Sequence, residues 1–165
     1  MAALAAELLD ASPLCAIATV GAGGRAHVNT AYFAWSANFE ITWMSEPNSM
    51  HSRNLGATKT AAIAVFDSAQ TWGEPDRGIQ LFGSATMAEG RSLDRAQSVY
   101  ADRFPRVREF DLGAYRLYAF RPSRLKLFDE GALGIGIFVT AKVARTGRLT
   151  WERTEVHRPG EVAAR

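Results

Sequence analysis

Most apolar positions in this chain fall into short alternating or continuous runs, separated by polar, glycine- and proline-bearing breaks. That is the pattern of a β-rich domain. The chain opens differently: residues 2–9 are Ala/Leu-rich and read as a short amphipathic helix, stopped by Ser12-Pro13. Residues 14–20 read as a buried strand, Gly21-Ala22-Gly23-Gly24 as a turn and 25–35 as the returning strand. The next strand, 39–45, places Ile41, Trp43 and Ser45 on one face against Thr42 and Met44 on the other. A short helix over 50–57 leads to strands at 60–67 and 78–88, joined by the polar loop 68–77 with Gln70, Trp72 and Pro75. In 92–104, Leu93, Ala96, Tyr100 and Phe104 recur at helical spacing before Pro105 closes the run. Two strands, 115–120 and 124–129, are parted by Arg121-Pro122-Ser123, and two more follow at 135–144 and 149–152. Residues 153–165 lack periodicity and read as a mobile or partner-draped tail, which leaves 1–152 as a single domain.

Many short strands broken by a few helices predict a mainly β protein: a closed or nearly closed barrel of antiparallel strands. With 165 residues, 47% of them hydrophobic and 22% charged, the chain can bury its own core and is neither a disordered nor a membrane composition. No apolar run approaches a bilayer span, and the N-terminal segment lacks the basic region of a signal peptide. The single cysteine, Cys15, sits in an apolar run as a small hydrophobe. It permits no intrachain disulfide, and the expected compartment is cytoplasmic. A net charge of +2 gives no reason to expect nucleic acid or membranes as partners.

Candidate chemistry concentrates in residues 45–57. From Pro47 to Phe66 there is no carboxylate, while His51, Arg53 and Lys59 are all present. Asn48 or Ser49 can cap the short helix, whose first amides and positive dipole end suit a phosphate. Ser49 and Ser52 add hydroxyl donors, and Arg53 offers a planar fork for two phosphate oxygens. His51 donates from one ring nitrogen, and a dianion beside it raises its pKa. The same spacing also fits a capped surface helix with solvated basic residues.

Gln80, between Ile79 and Leu81, is either an amide for a ligand edge or a satisfied core or interface glutamine. The glycines at 21–24 and at 131, 134 and 136 lack the helix and spacing of a phosphate loop. The scattered carboxylates and His27, His51 and His157 lack a metal-ligand rhythm, and no nucleophile elbow is present.

The order of strand, glycine turn, two strands, Ser49-Met50-His51-Ser52-Arg53-Asn54-Leu55, apolar strand and Gly78-Ile79-Gln80-Leu81-Phe82-Gly83-Ser84-Ala85 resembles the pyridoxamine 5′-phosphate oxidase-like family. The likeness runs over residues 8–129. It implies an FMN-binding split barrel of antiparallel Greek-key type, with FMN at the interface of a homodimer. It also implies hydride or electron transfer through flavin N5 to or from a small-molecule substrate. Haem or a deazaflavin on the same barrel is the alternative ligand.

The phosphate cluster of the family maps onto Ser49, Met50 and His51, with methionine and histidine standing where arginine and lysine are often found; Arg53 supplies the charge instead. Asn29 and Thr30 match the strand that approaches the flavin ring. Met44 and Ser45 match the pair before the phosphate loop. Gln80 faces the flavin pyrimidine, and Trp72 either lies on the ring or closes the barrel mouth. Tyr32, Phe33, Trp35 and Trp43 suit either a dimer surface or a core. The stretch 151–158 holds the residue types of the substrate-reading signature of true pyridoxamine phosphate oxidases without its spacing. The expectation is therefore an FMN-dependent oxidoreductase of another substrate, with no catalytic residue or metal site assigned.

Overall fold

The computed structural model describes residues 1–109 and 113–157. Helix α1 (Ala2–Asp10) is followed by strands β1 (Leu14–Val20), β2 (Ala26–Trp35) and β3 (Ile41–Ser45), helix α2 (Met50–Ala57), and strands β4 (Thr60–Val65) and β5 (Arg77–Met87). Helix α3 (Arg91–Arg103), strand β6 (Arg116–Asp129), the short helix α4 (Glu130–Leu133) and strands β7 (Ile137–Val143) and β8 (Leu149–Val156) complete the order.

All strand pairs are antiparallel, in the order β3-β2-β1-β4-β5-β6-β7-β8, and β3 also pairs with β6. That extra seam closes β3-β2-β1-β4-β5-β6 into a six-stranded barrel, with β7 and β8 as an arm. The return of β4 beside β1 after the β1-β2-β3 meander is the Greek-key step.

Alternation along the strands fills the barrel. Ile17, Ile63, Leu81, Leu125, Phe33 and Trp43 are fully buried, and Leu8 and Leu9 of α1 and Leu55 of α2 join the same core. Phe33 and Trp43 are therefore core, whereas Tyr32 is exposed and Trp35 is half-buried against Phe39, its indole N–H donating to Asp10 Oδ1. The guanidinium of Arg103 donates to the carbonyls of Leu9 and Ser12, closing the C-terminal end of α1.

The predicted break at Arg121-Pro122-Ser123 is a bend within one long strand. β5 pairs with both halves of β6, its register shifting at Phe82/Gly83, and the Ser123 hydroxyl donates to the Phe82 carbonyl. Proline and the bulge end the local ladder without ending the strand. Past the bend, β6 leaves β3 and takes up β7. The tail boundary at 153 also moves, because β8 continues through Val156 and pairs Arg153, Thr154, Glu155 and Val156 with β7. Its exposed face is held by charge: Arg124 grips Glu152 through two hydrogen bonds, and Lys126 meets Glu155. That polar, half-exposed face hid the strand from a hydrophobic pattern. The rest of the expected tail, 158–165, lies outside the described residues.

Candidate functional site

The site forms where β2 separates from its neighbour. β2 pairs with β3 only at Phe33, Ala34 and Trp35, so on that side positions 26–32 have no strand partner among the described residues. The first turn of α2, the end of β3, Tyr100 of α3 and Tyr115 close around the gap. They leave a cavity of about 460 Å³ lined by Asn29, Thr30, Met44, Ser45, Ser49 and His51, among others.

Ser45 and Ser49 on its wall form a triangle of hydroxyls with Ser52, which lies behind them and does not line the cavity. Ser49 Oγ donates to Ser52 Oγ at 2.8 Å, Ser52 Oγ donates to Ser45 Oγ at 3.4 Å, and Ser45 and Ser49 Oγ lie 3.0 Å apart. Ser45 and Ser52 are buried. Ser49 stands at the N-cap of α2, yet its side chain makes no capping bond. The hydroxyl is turned to the triangle, and the expected capping of the first-turn amides by Ser49 is absent. Asn54, one turn on, fixes the helix to the barrel by donating to Thr19 Oγ1 at 3.0 Å, both side chains buried.

His51 is only 4% exposed. Its two ring nitrogens lie 3.3 and 3.4 Å from the one Ser49 hydroxyl, so the ring meets it edge-on with long contacts. The His27 ring of β2 is parallel to it at 6.5 Å. Burial first, and then the facing His27, hold the His51 pKa below its ordinary value. The site therefore presents a buried imidazole that favours its neutral form and makes only long contacts.

Arg53 is not part of this enclosure. It is exposed, its Nη2 3.7 Å from Met50 Sδ, on the outer side of α2. The helical period explains this: His51, Ser52, Asn54 and Leu55 face inward, which leaves Met50 and Arg53, three apart, on the opposite side. Glu46 does line the cavity, and among the described residues no lysine or arginine does.

Gln80 is exposed on the outer barrel face, in a rung that runs Thr30, Ala16, Ala64, Gln80. Three strand spacings, roughly 14 Å, separate it from Thr30. The expected mid-strand burial of its amide does not occur in this chain. Trp72 is 99% exposed, so it neither lies on the site nor closes the barrel. Tyr100, Tyr115 and Glu46 were not legible as site residues: Tyr100 read as part of the helical core stripe, and nothing local ties the other two to the cavity.

The comparisons with known proteins agree with this architecture. The family model described as pyridoxamine 5′-phosphate oxidase matches residues 1–129. The chain belongs to the pyridoxamine 5′-phosphate oxidase family. The match covers the closed barrel, α2 and α3 and ends where β6 ends, so the β7–β8 arm lies beyond it. No curated protein matches.

Among solved structures, a heme binding protein from Mycobacterium smegmatis superposes with a TM-score of 0.73 at 18% identity, covering 89% of this chain. This chain spans 60% of that protein's length. A general stress protein 26-related protein of the pyridoxinephosphate oxidase family from Clostridium acetobutylicum gives a TM-score of 0.63 at 12% identity, covering 88% of this chain and 96% of its own. An F420 reductase gives 0.53 at 19% identity over 72% of this chain and 93% of its own. At such identities the pyridoxamine 5′-phosphate oxidase family fold is what is shared.

Proposed function

We propose that the chain binds FMN in the β2–α2 cavity and acts as an oxidoreductase on a small-molecule substrate. The observation that carries this reading is the buried hydroxyl triangle with His51 at its edge, beside the unpaired strand edge of β2. The donor set fits a phosphate monoester: the Ser45 and Ser49 hydroxyls line the cavity, Ser52 behind them holds both, and the first turn of α2 adds its dipole. His51 would take up a proton when a dianion arrives, turning a long neutral contact into a charge-assisted one. The unpaired edge of β2, with Thr30 beside it, offers backbone donors and acceptors to a flat heterocycle. The Asn29 amide already donates to the Thr30 carbonyl at 3.0 Å and stiffens that edge.

FMN, when bound, supplies hydride or electron transfer through its N5. Cys15 is no nucleophile for it: the thiol lies in the barrel core, and burial pushes it up to about 12. Burial also raises the Tyr100 phenol, which stays protonated and can donate to a ligand. Haem in the same cavity is the second reading. It is favoured by the buried, weakly partnered His51, an axial-ligand candidate, and by the heme binding protein that shares this fold.

The deciding experiment is the visible spectrum of the purified protein, followed by heat release and chromatographic identification of any chromophore. FMN near one per chain supports the first reading, a Soret band lost in His51→Ala supports the second, and released deazaflavin refutes both. In an FMN-binding chain, Ser49→Ala and His51→Ala each weaken FMN by about 1.5–3 kcal/mol, whereas Arg53→Ala has a smaller effect. Unchanged FMN affinity in Ser49→Ala and His51→Ala would place the phosphate outside the triangle.

A further inference from the structure

A second cavity, of about 670 Å³, opens between α3, the turn at Pro105–Glu109 and the first half of β6. It shares three wall residues with the β2–α2 cavity, Met44, Tyr100 and Tyr115, so the two spaces are neighbours across a single layer of side chains. Its volume falls in the range of small-molecule sites.

The walls are chemically one-sided. Leu93, Ala101, Val107 and Leu117 give it an apolar body. Among the described residues, Arg108 and Arg116 are its charged groups and no carboxylate lines it. Arg116 is fixed, its Nη1 donating to the carbonyls of Gly113 and Tyr115 at 2.9 and 2.7 Å. Among the described residues Arg108 meets only Asp102, at 4.0 Å, and it is exposed, which leaves its fork able to turn to a ligand. The hydroxyl triangle and His51 are absent from this lining.

We infer that this cavity binds an amphiphilic organic acid, an apolar or aromatic body with one carboxylate or sulfonate end, and that the bound acid is the substrate presented to the cofactor across Met44, Tyr100 and Tyr115. The role as substrate rests on the proposed FMN reading; the binding of the acid does not. An apolar body fills the walls of α3 and β6, and the anionic end meets the guanidinium of Arg108. A compact, highly charged phosphate ester would leave those apolar walls facing water.

The probe is 8-anilinonaphthalene-1-sulfonate, titrated into the full-length protein as purified and followed by fluorescence, with neutral Nile red as control. One saturable sulfonate site per chain is expected. Arg108→Gln weakens it about fivefold, as loss of one charge-assisted contact does, and leaves Nile red unchanged. Gln97→Trp, a substitution at an exposed position of α3 on the cavity wall, abolishes both. Added FMN and His51→Ala leave sulfonate binding intact. The inference is overturned if FMN displaces the sulfonate and His51→Ala removes it, because the probe then occupies the cofactor cavity. Undiminished binding in Gln97→Trp overturns it too. A chain that binds the sulfonate as expected but never binds FMN upholds the acid site and removes only its role as substrate.

Discussion

At the scale of single residues, the site depends on an imidazole kept neutral. Relative to its ordinary value of 6.5, the His51 pKa is lowered in the folded chain. The unfolded chain therefore takes the proton first as pH falls. The stability that neutral His51 contributes is complete above about 6.5 and is lost as pH drops through that value toward the lowered one. Thermal melts of the ligand-free protein between pH 7.5 and 5 should show a decline that His51→Gln flattens. Saturating FMN should flatten it as well, because an anion at Ser49 favours the charged ring that burial and His27 oppose. An identical pH profile in wild type and His51→Gln would remove His51 from this account. The sequence singled out the seven residues from Ser49 to Leu55 as a candidate anion-binding segment, and the structure puts Ser49 and His51 of it on the cavity wall. It did not reveal which of them turn inward, since Arg53 and His51 differ only by their angle around α2 and their distance from the barrel wall. Glu46, just outside that carboxylate-free stretch, joins the cavity through the path of the chain and not through any local signal.

At the scale of elements, β6 shows how a strand reading goes astray. Proline and two polar neighbours look like a loop, yet tertiary pairing with β5 carries the strand through them. The close approach requires Gly83: a Cβ there would meet the Arg121 carbonyl oxygen at 2.1 Å and Pro122 Cα at 2.8 Å. Both obstacles are backbone, so Gly83→Ala forces the two strands apart. A loss of about 1–3 kcal/mol is expected, with Tm falling by roughly 2–4 °C per kcal/mol in a domain of this size. Gly56→Ala, where an added Cβ meets nothing, is the control and should not destabilise. The strands β1, β2, β4 and β5 were legible because alternation and turns agreed with the final pairing. The end of β8 was not, because ion pairs rather than apolar contacts hold its exposed face.

At the scale of the whole molecule, the outer face of β2, β1, β4 and β5 is the surface to explain. One rung reads Val28, Ala18, Ala62, Phe82 and the next Thr30, Ala16, Ala64, Gln80. Val28 is 62% exposed and Tyr32, on the same face, 58%. No charge occupies either rung from β2 to β5; on β6 the first continues into Arg124 and the second into Lys126. An isologous dimer sets each patch against itself, which an uncharged surface with exposed Val28, Tyr32 and Phe82 permits and like charges would oppose. We propose that a second copy of this chain covers the face. Light scattering should then give twice the chain mass for wild type and a single chain for Ala18→Arg or Ala64→Arg. A monomeric wild type at micromolar concentration would overturn this. Gln80 and Thr30 lie on that face, so its occupancy would also set their surroundings.

The bend in β6 makes one part of the molecule answerable to another. Its first half closes the barrel against β3 and its second half carries β7. Peeling β7 and β8 away removes no barrel rung, whereas opening the β5–β6 seam takes from the arm the strand that anchors it. Dependence is unequal: losing the arm strips Ala141, Val143 and Leu149 from the core but breaks no barrel pairing, whereas the arm has no anchor once β6 is gone.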